Sequence, residues 1–444
     1  MKKKMIVILG VALIFVMGVA GCDSRDKPDD ASGYVSTAAG SEWEFPSLHI
    51  TSDLHPFQAE RAHWHPGHLT LTGATDELVF ENESVWLRGR GNSTWVLGED
   101  KRPLRIRFDV PRTLLSEYVH RDWVLVSNHF DMSLLRNYAA MYLGSLMEGM
   151  YHTPMVQNVH LYINGEYVGL YLLTDERDVG LGRSRLAAHD DPAISEYYFE
   201  LDGHVVGWRA HERTIWEDYF IADGRAYSVR YPGNRVMTMA HMEYLHDFVT
   251  RAGEAFASYD FDRISALVDI DSLVDFYIVQ ELFKNIDVAE FSVFMQIRGQ
   301  GENRRLHFGP VWDFDRSAGN TRYWYEHEYI FAGWYNIWFR NALETPELAD
   351  IIINRWKEVA SNQIEQMLDR LWYFAQHYSH EFNRNFEVHN IQESRPYWLY
   401  DMVPDVLRDV PAWDAQAEYL IDWLVKRVDW LNWYFAYFHE HDWE

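Results

Sequence analysis

Cysteine is nearly absent from this chain of 444 residues; Cys22 is the only one. A single thiol excludes a disulfide framework and thiol chemistry in the folded part. Positive charge is scarce as well. Lys and Arg number 40 against 67 Asp and Glu, a net charge of −27. That balance argues against nucleic acid, or an anionic membrane surface, as a direct partner of the folded part. A phosphate-bearing ligand would need a locally basic pocket or a divalent metal. No repeat of fixed period is present either, which excludes solenoid and propeller arrays.

What is abundant is apolar and aromatic. Hydrophobic residues make up 48% and charged residues 24%, so the chain can bury a large core. Its length suits two or three domains or one large two-lobed one. The 19 Trp, 27 Tyr and 24 Phe have two explanations: an aromatic core, or a surface that binds sugars or polymers. The N-terminus has its own grammar. Lys2-Lys3-Lys4 is a basic start, residues 5–18 are apolar, and Val19-Ala20-Gly21-Cys22 is a run of small residues ending in the sole cysteine. This is a secretory signal, and its end resembles the lipobox of bacterial lipoproteins. The resemblance implies cleavage before Cys22, lipid attachment to it, and an extracytoplasmic protein anchored to the membrane. The expected organisation is a signal over 1–21, a polar tether over 22–45, a core over 46–330 and a helical, aromatic-rich part over 331–444.

Along the core, His63-Trp64-His65-Pro66-Gly67-His68 reads as a loop, and residues 69–72 and 84–87 read as strands. Arg88-Gly89-Arg90-Gly91-Asn92-Ser93-Thr94-Trp95 is a glycine-bearing turn. Lys101-Arg102-Pro103 follows it, and then Leu104, Ile106 and Phe108 alternate with Arg105 and Arg107. Glycine permits close backbone approach and the cations neutralise charge, so Arg88, Lys101, Arg102 and Arg105 are candidate phosphate contacts; the plainer reading is a tight hairpin with solvated Arg. Residues 122–127 suit a strand, followed by a helix capped by Asp131 or Ser133. Arg136 lies off that helix's apolar stripe; it would reach an acidic site or be an ordinary surface residue. Residues 156–173 form a hairpin about Asn164-Gly165 and end at the carboxylates Asp175 and Glu176. Residues 234–259 and 270–283 read as helices, the second apolar nearly all round, with Asp275 and Glu281 structurally paired. Long amphipathic patterns follow over 347–372 and 415–437. At the tail, His439 and His441 with Glu440 and Asp442 read as an acidic terminus rather than a metal site.

Two acidic sites flank a hairpin in the middle of the chain. Asp287 stands in Asn285-Ile286-Asp287, directly after the apolar helix. Residues 291–297 have strand chemistry, 298–303 turn chemistry, and 306–312 return as a strand. Asp313 and Asp315 follow in Trp312-Asp313-Phe314-Asp315. A hairpin of that length brings Asp287 and Asp313 to one end of a sheet, where acids hold a metal or take a proton from a hydroxyl.

These segments together resemble the spore coat protein H (CotH) kinase family. The resemblance rests on RGRGNSTW with KRP, LLRNY, YINGEYVGLYLL, NID and PVWDFD, and it covers residues 48–437. It implies an α+β, atypical protein-kinase-like two-lobed fold that transfers the γ-phosphoryl group of ATP to protein Ser/Thr, with Mg or Mn. By residue, it implies that Asp287 is the catalytic acid, that Asp313 holds the metal with Asp315, and that the 88–101 turn covers the phosphates. Asp175 or Glu176 would be the family's strand-end acid. Where kinases place a metal-binding Asn five residues after the catalytic Asp, this chain has Ser292, a weaker ligand. Two other readings stand beside the kinase: a non-catalytic surface-binding or adhesion protein on the same scaffold, whose partner is a surface ligand rather than a nucleotide and protein substrate, and a metal-dependent hydrolase using the same acids.

Overall fold

Alternation of buried and exposed residues builds the first half of the molecule. In β3 (Phe80–Gly89) and β4 (Leu104–Arg112), Val85, Leu87, Leu104, Ile106 and Phe108 are buried, while Trp86, Arg88, Arg105 and Arg107 lie on the other face. The structure is a computed structural model. It describes residues 44–74, 78–98, 100–116, 119–176, 185–207, 214–233, 235–389, 404–408, 410 and 412–440. The signal, Cys22 and nearly all of the tether lie outside the described residues, as do the side chains of 439–442.

Seven strands close on themselves. With β1 (Ser47–Thr51), β2 (His65–Thr72), β5 (His120–Val126), β6 (Val156–Ile163) and β7 (Glu166–Asp175), they form a barrel in the order β1-β2-β3-β4-β5-β7-β6. Only the closing β1–β6 pair is parallel. Leu48, Ile50, Leu69, Leu71, Leu161 and Leu173 fill it. Closure leaves no sheet edge exposed. The hairpin about Asn164 and Gly165 is as the sequence predicts, with both residues at positive φ (51° and 87°) as a tight primed turn requires.

Two segments differ from expectation. The stretch from His65 to His68 is strand rather than loop, because His65 and Gly67 point into the barrel while Pro66 and His68 face out. Gly67 is needed there; a Cβ would stand 2.7 Å from Leu87 Cδ1. The 88–101 segment is not an open turn but carries a short helix, α1 (Ser93–Leu97). Trp95 of α1 covers Gly89 so closely that a Cβ on Gly89 would lie 2.3 Å from its ring.

The second half is a five-stranded antiparallel sheet in the order β12-β11-β8-β10-β9, using β8 (Tyr197–Leu201), β9 (Tyr219–Ala222), β10 (Arg225–Tyr231), β11 (Val293–Arg298) and β12 (Arg305–Phe308). Helices α2 (Arg136–Leu146), α3 (Met239–Ala257), α4 (Phe261–Ser265) and α5 (Ile270–Phe283) accompany it. The molecule is therefore α+β. Helix α5 has the bounds its apolar pattern predicts. Asp269 caps its start, accepting from Ser272 N at 2.9 Å, and Lys284 ends it in the left-handed region. The expected return strand over 306–312 stops at Phe308, since Pro310 has no N–H to give a ladder. The 347–372 pattern is two helices, α8 (Pro346–Ala360) and α9 (Gln363–His377), after the short α6 (Ala332–Tyr335) and α7 (Ile337–Leu343) and before α10 (Ser379–Val388). The C-terminal helix Trp413–Glu440 packs on α5, α8, α9 and α10. Both acids of α5 are paired as expected: Asp275 with Arg355 at 2.8 Å and Glu281 with Arg427 at 2.6 Å. No helix among the described residues is long and apolar enough to cross a membrane.

Candidate active site

Each acid is set by its own local chemistry. After α5 the chain makes a 3-10 turn, Ile286–Ala289. Asn285 caps it, its Oδ1 accepting from Asp287 N at 3.2 Å, and the Asp287 carbonyl accepts from Glu290 N and Phe291 N. The Asn of Asn-Ile-Asp thus fixes the backbone that carries the acid. Asp313 follows β12 at φ 70°, a left-handed conformation that Asp tolerates better than most residues. Ser292, also left-handed at φ 53°, donates its hydroxyl to Asp313 Oδ2 at 3.2 Å.

The loop after Asp313 is held from a distance. Phe314 N donates to Asn137 Oδ1 at 2.7 Å, and the Phe314 ring meets Phe283 edge-on. Asn320 Nδ2 donates to the Asp315 and Phe130 carbonyls at 2.6 and 2.8 Å. Arg136 is not a surface residue. It is fully buried, paired with Asp131 at 2.5 Å, and its guanidinium donates to the Ser317 and Ala318 carbonyls at 3.0 and 3.1 Å. Asp131 also accepts from Arg136 N at 2.9 Å, and Ser133 Oγ from Leu135 N at 3.2 Å, but neither is the expected cap: α2 starts at Arg136 and Leu135 stands at the N-cap.

The hairpin brings the acids together electrostatically. Burial, and after it the Asp313 carboxylate, pushes Asp287 up to about 7, with Arg316 opposing and Glu200 adding to the rise. Burial also drives Asp315 well above the usual carboxylate range, with Asp313 and then Asp287 contributing. Asp287 and Asp315 are thus both raised beside Asp313, an arrangement that favours a bound cation. Among the described residues, no group of three or more His, Cys, Asp or Glu side chains is arranged to hold a metal unaided. Mg²⁺ does not require one, because it is commonly held by one or two carboxylates, substrate phosphates and water. The donor set fits that mode.

Asp313 and Asp315 line a small cleft of about 30 Å³ together with Arg90, Thr94, Pro103, Asn128, Asn137 and Trp312 among others. Arg90 stacks on Trp312, its guanidinium carbon 5.2 Å from the ring centroid. Arg90 thus shares the cleft with Asp313 and Asp315, while Arg316 is the cation that acts on Asp287 and Asp315. Arg90 is absent from the expected phosphate contacts, because the Arg-Gly-Arg run and the Trp-Asp-x-Asp motif that carry the two halves of the pair lie far apart in the sequence.

The cations expected on phosphates are distributed otherwise. Lys101 is fully buried, its Nζ has no hydrogen-bond partner among the described residues, and it lies 5.2 Å from the Tyr171 ring; burial pushes it down to about 7, with Asp131 opposing. Arg102 stacks on Trp95 and donates to the Trp95 and Phe57 carbonyls. Helix α1 turns both inward, which the expected bare turn does not do. Arg88 and Arg105 remain on the outer face of the barrel, where Trp64 lies beside Arg88, Arg105 and Arg107, with ring distances of 4.7, 5.9 and 4.4 Å. Asp122 takes Arg105 and Arg107 at 3.1 and 2.8 Å, and Glu176 lies 3.4 Å from Arg105. Asp175 is buried and fixes the start of β6 by accepting from Met155 N at 2.7 Å and His152 Nε2 at 3.0 Å.

The family model described as CotH kinase protein matches residues 87–431. The chain belongs to the CotH kinase family. The match begins in the basic segment of β3 and takes in both acidic sites and most of the C-terminal helix, so the whole candidate site of this CotH protein lies within it. No curated protein matches the chain.

Proposed function

We propose that this CotH protein is an atypical protein kinase of two-lobed, kinase-like arrangement. It transfers the γ-phosphoryl group of ATP to a Ser or Thr hydroxyl of a protein substrate. The observation that carries the reading is the electrostatic interaction of Asp287 with Asp313, which lines a small cleft with Asp315 and Arg90. In this reading Asp287 accepts the hydroxyl proton as the O–P bond forms and the bond between the γ-phosphorus and the bridging oxygen breaks, releasing ADP. Asp313 and Asp315 would hold Mg or Mn, which when bound neutralises phosphate charge and aligns the transferred group. Ser292 orients Asp313 through its hydroxyl and stands beside the metal position. Arg90 faces the phosphates, with Arg88 and Arg105 further along the outer face of the barrel.

Arg90→Ala tests the phosphate role. A charge-assisted contact of this kind contributes about 1.5–3 kcal/mol, so nucleotide affinity should fall about tenfold or more. Titration calorimetry with ATP and Mg²⁺ reads it, and unchanged affinity returns Arg90 to a stacking role on Trp312.

The lipobox-like end at Cys22 supports a second part of the proposal, that the protein is lipid-anchored outside the cytoplasmic membrane. Cys22→Ser should move it from the membrane fraction to the soluble fraction. Membrane retention of that variant with its signal still cleaved would overturn the anchor.

A further inference from the structure

The segment after the acidic loop carries an unusual surface. Tyr323, Tyr329 and Trp334 are 70, 67 and 62% exposed, and Trp324, Tyr325 and Tyr335 are exposed beside them. Large rings normally turn inward; here the backbone prevents it. Five consecutive carbonyls face the interior and are taken there by buried donors. Trp423 Nε1 donates to Tyr325 O at 2.5 Å. Lys284 Nζ donates to Glu326 O and Glu328 O at 2.7 and 2.8 Å. Arg427 donates to His327 O and Tyr329 O at 2.8 and 2.9 Å. Glu281 holds the far end through Phe331 N and Gly333 N at 2.6 and 2.9 Å. With the main chain tied inward, the side chains are presented outward. The rings also brace one another: Trp324 Nε1 donates to Tyr335 OH at 3.2 Å, and Arg340 covers Trp334 at 4.9 Å.

Such a strap is rigid before any ligand arrives, so little ordering cost remains on binding. Its chemistry narrows the ligand. Glu326 and Glu328 are exposed between the rings, with exposed Arg322 before Tyr323 and Arg340 over Trp334, so charges of both signs are interspersed and a strongly charged polymer or lipid surface meets no complementary field. Charged Glu is depleted from the cores of protein interfaces, and Ile337 is the only exposed large aliphatic residue between 321 and 340. What remains is a flat, neutral partner with apolar faces and polar edges. In a β-linked pyranose chain the equatorial linkages leave axial C–H bonds on both faces of each ring, which stack on Tyr and Trp, while donors at the ring edges reach carboxylates. An acetamido N–H is a donor suited to Glu326 and Glu328, and its methyl adds apolar contact.

We infer that the 323–335 strap is a binding platform for a neutral β-linked N-acetylhexosamine chain. This is a second function that does not rest on the phosphotransfer reading. The test is calorimetry of the full chain with a β-1,4-linked N-acetylglucosamine hexamer, a β-1,4-linked glucose hexamer and polygalacturonate, on wild type, Tyr329→Ala and Trp334→Ala. Both rings are exposed, so the thermal midpoint and ATP binding should be unchanged. The expected result is wild-type binding of the N-acetylglucosamine hexamer, weakened about tenfold by each ring removal, as for other stacking platforms. Absence of that binding, equal or tighter binding of the glucose hexamer or polygalacturonate, or binding indifferent to both substitutions would overturn the proposal. Self-association of the wild type that either substitution abolishes would overturn it too, by making a second copy the occupant.

Discussion

Asp287→Ala should abolish phosphate transfer while leaving nucleotide bound, and Asp313→Asn should abolish both. The two acids share a site but not a role. Asp287 hangs from a 3-10 turn capped by Asn285, and burial beside Asp313 raises it to about 7. A carboxylate so poised takes a proton readily near neutrality, and losing a positioned base costs about 10²–10⁴-fold in rate. Its removal also deletes an acid that acts against the Asp313 carboxylate, so nucleotide affinity should hold or improve. Asp313 is where Ser292 donates and where the chain leaves β12 for the cleft. Converting it to Asn keeps the shape but removes the charge that a divalent ion needs. Its metal-dependent thermal shift with ATP should therefore vanish, whereas Asp287→Ala keeps that shift. Transfer that persists in the Asp287→Ala, Asp313→Asn double variant would place the chemistry elsewhere. A wild type that neither transfers phosphate nor binds nucleotide would favour a surface-binding protein on the same scaffold.

Arg427→Met should be the most destabilising of the single substitutions considered. The guanidinium is 0% exposed, pairs with Glu281, which is 1% exposed, and donates to the His327, Tyr329 and Glu281 carbonyls. Methionine fills similar volume but leaves an uncompensated buried carboxylate and three carbonyls without that donor. Breaking a buried pair from one side costs about 3–5 kcal/mol, a large share of the ~5–15 kcal/mol that holds a typical protein folded. The midpoint of urea unfolding reads the loss. Adding Glu281→Gln should recover only part of it, because Glu281 also accepts from Phe331 N and Gly333 N, and the amide oxygen can serve just one of its two positions as acceptor. A loss below about 1 kcal/mol would mean that water replaces the guanidinium and that the strap is not held as described.

Much of the local architecture was readable in the residues. Helix α5 has the bounds its apolar run predicts, and the hairpin about Asn164 and Gly165 turns where only residues tolerant of positive φ stand together. The spacing of Asp287 and Asp313 about a hairpin was enough to predict that they meet. Other features carried no such signal. The barrel depends on β1 pairing in parallel with β6, more than a hundred residues away, and no periodicity within either strand announces its partner. Helix α1 is too short to show a helical repeat, so Lys101 and Arg102 read as surface cations until Trp95 is seen folded over Gly89.

The sequence by itself determined the family and many of the elements, such as α5 and the hairpin about Asn164 and Gly165, because short-range periodicity, turn chemistry and motif spacing are properties of neighbouring residues. Only the tertiary structure decided that Arg90 shares a cleft with Asp313 and Asp315, why Arg136 is buried, and why six aromatic rings stand in solvent. Those outcomes rest on hydrogen bonds between residues far apart in the chain, as from Arg136 to Ala318 and from Arg427 to Tyr329. A buried guanidinium must find acceptors wherever the fold supplies them, and that supply exists only once distant segments are packed together.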